Sequence, residues 1–293
     1  MVLQNCLFNN SCKTALKTAK HINLFNIMVY SVCVLLFGLL LLKEKISFFT
    51  VLLGLLFGVV TALSNLFKML SLSNGPMNIT LLVTTSSMII PTMSGIFFGE
   101  AFSLAKLCVV VILIWFIYLS ISKSDDIKTS KKWFLFCLLA FLFQGTVGVL
   151  QKIHQNSVHK TEVSGFLFFA FICAIVFCFI RNRGFNQEIK LGKKTVFIGL
   201  VCGGCSFGMN YINLILSGLL SSQLFFPLVN GSAIVISSFM SVILFKERLS
   251  KKQTIGLVGG IVSLIAICLV PERRSVKYET NKRTNYICCK WNR

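Results

Sequence analysis

Charged residues are scarce in this chain. They make up 13% of its 293 residues, and only nine of them are Asp or Glu. A soluble domain is usually about one-quarter charged, so the composition excludes an ordinary soluble protein. Hydrophobic residues account for 55% of the sequence, with a mean hydropathy of +0.81. These values predict a protein that is embedded in membrane lipid.

The sequence also lacks the short motifs of the common enzyme classes. No Walker A sequence, H-E-x-x-H pair or G-x-S-x-G elbow occurs in it. His154 and His159 are five residues apart in a polar segment, which is the wrong spacing for a pair of metal ligands on one helix face. The sequence therefore predicts no enzyme, no catalytic residues, no metal site and no cofactor.

The basic residues are numerous but are not arranged to read a nucleic acid. The 29 Lys and Arg give a formal net charge of +20, and they lie in short clusters between apolar runs. Such clusters contact lipid headgroups and influence membrane orientation. No basic face interleaves with a folded polar domain, so membrane lipid is the predicted partner and nucleic acid is not.

Nine apolar runs are long enough to cross the hydrocarbon core of a bilayer, which takes roughly 17–25 residues of helix. Backbone polar groups in lipid must be satisfied within the segment, and the alternation of barrel strands is absent. The sequence therefore predicts an all-α polytopic membrane protein. The runs cover residues 24–42, 48–69, 77–98, 103–122, 132–151, 164–180, 195–216, 224–245 and 254–270.

An internal repeat relates the two parts of the chain. Residues 93–103 align with residues 240–250 at a constant offset of 147 (247 − 100), with Met, Ser, Ile, Phe, Glu and Ser identical. Upstream, the Gly-x-x-x-Gly of residues 54–58 recurs at residues 199–203, and Asn65 aligns with Asn210, at an offset of 145.

Alignment of Lys13 with Lys152, at an offset of 139, completes five helices in each half. An odd number of helices per half gives the two copies opposite membrane orientations. The expected fold is thus two inverted five-helix repeats, ten helices in all, of which the first is incomplete.

These features resemble the EamA-like family of the drug/metabolite transporter superfamily. The resemblance depends on Glu100 followed by Ser103 and Glu247 followed by Ser250, each after an apolar span and before a closing helix. It implies a ten-helix carrier with a central substrate cavity between its halves. Residues 1–122 would form the first half, with its first helix truncated, residues 132–270 the second half, and residues 271–293 a basic tail.

The beginning of the sequence departs from that pattern, because only residues 1–12 precede Lys13. A first helix that matches residues 131–151 would need about ten more residues upstream. We therefore expect an in-frame extension before Met1; the alternative is a degenerate first span.

Polar residues inside the apolar runs are the candidate substrate-binding groups. A polar side chain in hydrocarbon needs a partner, so each should face the bundle interior or a cavity. Hydrogen bonding between helices is the alternative role for each of them. The candidates are Asn65, Gln144, Asn210, Tyr211 and Asn230.

Three charged residues near span ends have two interpretations each. Glu100 and Glu247 either gate the carrier, as hinge residues, or simply end one helix, cap the next and bind nearby Lys or Arg. Lys68 either extends to the membrane interface or attracts an anionic substrate. No acidic residue lies near the middle of an apolar run, where a carboxylate that couples transport to protons is commonly found.

The predicted function is secondary transport of a small organic metabolite or drug-like solute by alternating access, in the plasma membrane. The alternative is a membrane scaffold or partner subunit that has the same fold but transports nothing. The small-molecule solute is the predicted partner besides lipid, and assembly into a homodimer is left open.

Overall fold

The apolar runs of the sequence form helices. A computed structural model describes residues 19–42, 45–74, 77–100, 103–120, 131–182, 192–245 and 251–270. Within these residues the regular secondary structure is helical and no strand occurs, so the predicted all-α fold is confirmed. The helices are α1 (Ala19–Leu41), α2 (Phe48–Asn74), α3 (Met77–Ser86), α4 (Ile89–Ser94), a 3₁₀ turn (Gly95–Phe98), α5 (Leu104–Ser120), α6 (Lys131–Gln155), α7 (Val163–Asn182), α8 (Lys193–Leu219), α9 (Ser222–Phe245) and α10 (Lys251–Leu269).

Six of these helices are long and apolar enough to cross a membrane, namely α1, α2, α6, α7, α8 and α10. The outward face of α10 illustrates why: Ile255, Val258, Val262 and Ile265 are each more than half exposed, whereas Ser263 on the opposite face is buried. An outward face made of large aliphatic side chains is matched by lipid and not by water. The chain is an integral membrane protein.

The helices pack into one bundle with two apolar cores. In the larger core, α1 contacts α7 and α8, while α2 contacts α6 and α7. In the smaller core, α5 packs along α10 and α9. Buried phenylalanines fill both cores, such as Phe37 and Phe166 in the first and Phe225 in the second.

Four glycines of the repeated motif allow the close helix contacts of the larger core. A Cβ on Gly54 would lie 2.6 Å from the Phe166 carbonyl oxygen, and one on Gly58 would overlap the Ala170 carbonyl. Gly199 and Gly203 of α8 pack in the same way against Met28 and Val32 of α1. Small residues at such positions let helix backbones approach each other in lipid.

The run at residues 77–98 departs from the sequence prediction, because it is divided into α3, α4 and the 3₁₀ turn. Pro91 explains the interruption at Ser87 and Met88. Its ring has no N–H to donate and clashes with the carbonyl group four residues earlier, at Ser87. The Ile90 N–H instead donates to the Ser87 carbonyl oxygen, at an N···O distance of 3.0 Å, which makes a tighter turn than an α-helix.

One end of the bundle contains the Glu100 and Glu162 side chains, and we call it the carboxylate end. There the Ser47 backbone N–H and hydroxyl both donate to Glu162 Oε2, each at 2.8 Å. His159 Nδ1 lies 2.8 Å from the other oxygen of the same carboxylate. The segment before α2 is thereby joined to the segment before α7.

Candidate functional site

A central cavity of about 380 Å³ lies between helices α1, α2, α4, α6, α7, α8 and α9. Ligand pockets range over roughly 300–1,000 Å³, so this one suits a metabolite-sized molecule. Its apolar walls include Phe25, Phe57 and Phe171. Twelve lining residues have polar side chains: Asn26, Tyr30, Thr61, Asn65, Lys68, Ser87, Gln144, Gln151, Ser206, Asn210, Asn213 and Asn230.

Four of the five amino acids predicted to bind substrate line this cavity. Asn65 donates from Nδ2 to the Tyr30 hydroxyl at 3.0 Å, and Gln144 Oε1 accepts the Ser64 hydroxyl at 2.8 Å. Asn210 and Asn230 each donate to the carbonyl four residues earlier in their own helix, at 2.8 and 2.9 Å. These bonds orient the amides and leave the side-chain oxygens of Asn210 and Asn230 as acceptors.

The fifth, Tyr211, does not lie among the residues that line the cavity. Its ring is partly buried against the larger core, where it stacks on Phe207 with a centroid separation of 6.2 Å and contacts Phe37 at 6.4 Å. Neighbouring residues of a helix point about 100° apart, so the helix turn that brings Asn210 to the cavity directs Tyr211 elsewhere.

Sequence reasoning missed several residues of the cavity wall, although the repeat contained a signal for them. Thr61 and Ser206 both line the cavity, and they are related by the same offset as Asn65 and Asn210 (206 − 61 = 145). Asn213 was missed too, and the same offset relates it to Lys68 (213 − 68 = 145), a residue already considered from the sequence as a group that attracts an anion. The faces of α2 and α8 that meet the cavity could thus have been found by extending the alignment.

Asn26 and Gln151 had no such signal. They come from α1 and α6, the first described helix of each half, where the repeat alignment is weakest. Each lines the cavity and has no hydrogen-bond partner among the residues that the structure describes.

Glu100 lies outside the cavity, at the carboxylate end. Its Oε1 is 2.6 Å from Lys152 Nζ of α6, and its Oε2 accepts the Ser222 backbone N–H, the first of α9, at 2.6 Å. The Lys152 ammonium also donates to the Leu220 carbonyl at 2.8 Å. Glu100 thus accepts the first N–H of α9 and binds a lysine. Glu247 lies outside the described residues.

Two glycines shape the turn that presents Glu100. Gly99 has φ of +71°, in the left-handed region that glycine adopts without strain. A Cβ on Gly95 would overlap the Glu100 carboxylate and lie 2.9 Å from Ser222 Cβ. Beyond this turn, Ser103 and Gln223 hydrogen-bond through N···O contacts of 3.0 and 3.4 Å.

Nothing in the described part of the chain forms a metal centre. No three His, Cys, Asp or Glu side chains lie together there as ligands. The described cavity wall offers amides, hydroxyls, the Cys202 thiol and one ammonium group, which can form hydrogen bonds with a polar solute.

Comparisons with known proteins agree with this geometry. A solved crystal structure superposes with a TM-score of 0.74 at 13% sequence identity, covering 93% of this chain and 94% of the other, which shows a shared fold. No curated protein sequence matches the chain. Residues 131–269 match the model of the EamA-like transporter family. The predicted resemblance is therefore confirmed over these residues, which are similar to the EamA-like transporter family, a part of the drug/metabolite transporter superfamily.

Proposed function

We propose that this protein is a secondary transporter that binds a small organic solute in its central cavity and moves it by alternating access. The observation that carries the proposal is the cavity itself. It combines seven side-chain amides with aromatic walls in the middle of a membrane bundle. Placing polar side chains in hydrocarbon costs free energy. A scaffold that transports nothing does not need a cavity lined by so many of them.

The wall of the cavity supports two inverted halves. Four of the six α2 residues that line it match lining residues of α8 at one offset, 145: Phe57 with Cys202, Thr61 with Ser206, Asn65 with Asn210, and Lys68 with Asn213. A repeated unit that faces a shared cavity from both sides is expected to have this property. Residues 19–120 and residues 131–269 then form the two halves.

Helix packing supports the same arrangement. α1 ends and α2 begins at the carboxylate end, where α7 also begins and α8 ends. α1 therefore runs antiparallel to α7, which it contacts, and α2 runs antiparallel to α8. The contact of α2 with α7 is mirrored by that of α8 with α1, and the repeated glycines lie in these two contacts. This exchange is what a pseudo-two-fold axis in the membrane plane would generate.

The contacts at the carboxylate end supply a gate. Glu100 binds Lys152 and Ser222, and Ser103 binds Gln223, so every one of these bonds joins the first half to the second. They hold the cavity closed at this end, and a rocking motion that opens it must break them. Glu100 acts as a gating residue because it is the acceptor that two helices of the other half share.

A cavity-filling variant tests the proposed function. Purified protein in lipid vesicles should take up specific components of a metabolite extract, measured by mass spectrometry against protein-free vesicles. Ser206→Phe places a ring in the cavity and should abolish that uptake. Ile212→Phe makes the same kind of change on the half-exposed outer face of α8 and should preserve it. Equal uptake by folded Ser206→Phe and wild-type protein would contradict the proposal, and no uptake by wild type would favour the scaffold.

A further inference from the structure

The cavity has one charged side chain, Lys68, among the residues that the structure describes as lining it. The acidic residues of the described ranges are Glu100 and Glu162, and both lie outside the cavity. Both are already bound at the carboxylate end, Glu100 to Lys152 and Glu162 to Ser47 and His159. The net charge of the described cavity wall is therefore positive.

Lys68 has no ion-pair or hydrogen-bond partner for its ammonium group in the described part of the chain. An ammonium removed from bulk water is stabilised by an opposite charge and by hydrogen-bond acceptors, and it is costly without them. Neighbouring side chains do not supply that charge here. A solute that brings it would complete the site.

The repeat shows that the charge belongs to one wall of the cavity. Asn65 and Asn210 match across the two halves, and Thr61 and Ser206 are both hydroxyl residues. The halves differ in charge at the pair Lys68 on α2 and Asn213 on α8, which the same offset relates. A solute held between these walls meets a cation on one side and amides on the other, so the cavity favours a molecule with an acid group at one end.

Three amides of the cavity wall are available to such a solute. Asn26, Gln151 and Asn213 line the cavity, and none has a hydrogen-bond partner within the described ranges. An amide both donates and accepts hydrogen bonds, so these groups suit a carboxylate oxygen or a hydroxyl. The aromatic side chains of Phe57 and Phe171 offer an apolar surface to the rest of the molecule.

We propose, building on the transport function above, that the solute is a monocarboxylate with an apolar or aromatic body, and that Lys68 binds its carboxylate. One ammonium neutralises one carboxylate. A phosphate monoester carries a charge of about −1.5 to −2 at pH 7 and would need a second cation, which the described wall does not contain. Lys68 thereby selects anions over neutral and cationic molecules of the same shape.

Three probes that share one skeleton test this selection: 4-hydroxyphenylacetate, its neutral amide 4-hydroxyphenylacetamide, and the cation tyramine. Binding to the purified full chain is read from the rise in its unfolding temperature with probe concentration. The carboxylate should stabilise wild-type protein more than the other two probes. Because a hydrogen bond to a charged group is lost, Lys68→Met should weaken carboxylate binding about tenfold or more.

Further variants separate the charge of Lys68 from its role in folding. Lys68→Arg keeps the charge and should retain the preference for the carboxylate. Lys68→Asn installs the side chain that the second half has at the matching position, so it should fold even if Lys68→Met fails to fold, and it should lose the preference for the carboxylate. Lys132→Met removes an exposed charge at the start of α6 and should bind as wild type does.

Several results would overturn the anion site. They are stronger stabilisation by the amide or the amine, equal carboxylate binding by Lys68→Asn and wild type, and no stabilisation of wild type by the carboxylate. Uptake of radiolabelled probes into vesicles keeps the two proposals distinct. Uptake without preference for the carboxylate supports transport and overturns the anion site. Carboxylate binding that depends on Lys68, without uptake, supports the site and contradicts transport.

Discussion

Glu100 and Lys152 form an ion pair of 2.6 Å between the end of the 3₁₀ turn and the last turns of α6. Their side chains are 18% and 3% exposed, so both charges are largely removed from solvent. The Glu100 carboxylate also accepts a hydrogen bond from the first backbone N–H of α9. One acidic residue thus joins three segments that are far apart in the sequence.

We predict that Glu100→Gln destabilises the protein, because it leaves the Lys152 ammonium without its counterion. Loss of one partner from a buried pair costs roughly 3–5 kcal/mol, and the partial exposure of Glu100 should make the cost smaller here. Thermal unfolding of purified protein measures the effect.

The double variant Glu100→Gln/Lys152→Met is the matched control for that prediction. It removes both charges and should recover part of the stability that Glu100→Gln loses, whereas independent residues would give additive losses. Additive losses would show that the two side chains are not coupled, and would remove the pair from the proposed gate.

Two adjacent glycines of α8 give a second prediction. A Cβ on Gly203 would lie 2.5 Å from Val32 Cβ, whereas one on Gly204 would meet nothing within 4 Å. Gly203→Ala must therefore push α1 away from α8 and should reduce folded protein, by roughly 1–3 kcal/mol for an overpacked site. Gly204→Ala should be neutral or stabilising by up to about 1 kcal/mol, since alanine favours a helix.

Yield and unfolding temperature of the two variants, purified side by side, check this comparison. Equal behaviour would mean that α1 and α8 are not in close contact at this point. A loss confined to Gly204→Ala would contradict the packing of the helix pair altogether.

The sequence was sufficient to predict the helices, since each apolar run reaches the length that a bilayer requires and none has the alternating pattern of a strand. It was not sufficient to predict the break at Ser87 and Met88. Hydropathy does not register that Pro91 removes a donor and displaces a carbonyl. The consequence is functional, because Ser87, Met88 and Pro91 all line the cavity.

The candidate site was predictable from the sequence wherever the two halves of the repeat can be aligned. The pairing of Asn65 with Asn210 located one position on each of two cavity walls, and the same offset leads to Thr61, Ser206, Lys68 and Asn213. The partner of Glu100 could not be predicted from the sequence. Lys152 is 52 positions away, and only the packing of α6 beside the 3₁₀ turn brings the two side chains together. The prediction for Tyr211 failed for a different reason: a residue next to Asn210 in the sequence does not place its side chain in the same cavity.

The Glu162 cluster at the carboxylate end gives a prediction about pH. Burial alone would raise the pKa of this carboxyl group, but the hydrogen bonds from Ser47, Thr50 and His159 outweigh burial and lower the pKa from 4.5 to about 2. Because the folded-state pKa is depressed, the carboxylate stabilises the folded state above the unfolded value near 4.5. That stabilisation is lost as the pH falls from about 4.5 towards 2.

Glu162→Gln should therefore reduce stability at pH 7 by roughly 1.5–3 kcal/mol, the value of hydrogen bonds to a charged group. The difference from wild type should shrink as the pH falls below about 4.5. Lys160→Gln, an exposed neighbour in the same loop, should match wild type throughout. A difference between Glu162→Gln and wild type that stays constant down to pH 2.5 would show that the charge of Glu162 contributes nothing.

The last prediction concerns Asn65 and Asn210, which occupy matching positions in the repeat and face one cavity from α2 and α8. Each amide NH₂ donates one hydrogen bond, Asn65 to the Tyr30 hydroxyl and Asn210 to the Ser206 carbonyl. The remaining hydrogen-bonding capacity of each amide is available to a solute in the cavity. Loss of one hydrogen bond to a solute costs about 0.5–1.5 kcal/mol, which is roughly a three- to tenfold change in affinity.

We therefore expect Asn65→Ala and Asn210→Ala each to raise the apparent transport constant by about that factor, with folded protein near the wild-type amount. Transport into vesicles at a series of solute concentrations measures it, and Tyr211→Phe serves as the control because that ring does not line the cavity. The alternative role, a bond between helices, predicts lower abundance with unchanged affinity. That role applies more readily to Asn65, whose bond to Tyr30 joins α2 to α1, than to Asn210, whose bond stays within α8. Asn210→Ala is thus the decisive variant: an unchanged transport constant in it would remove the amide pair from the binding site.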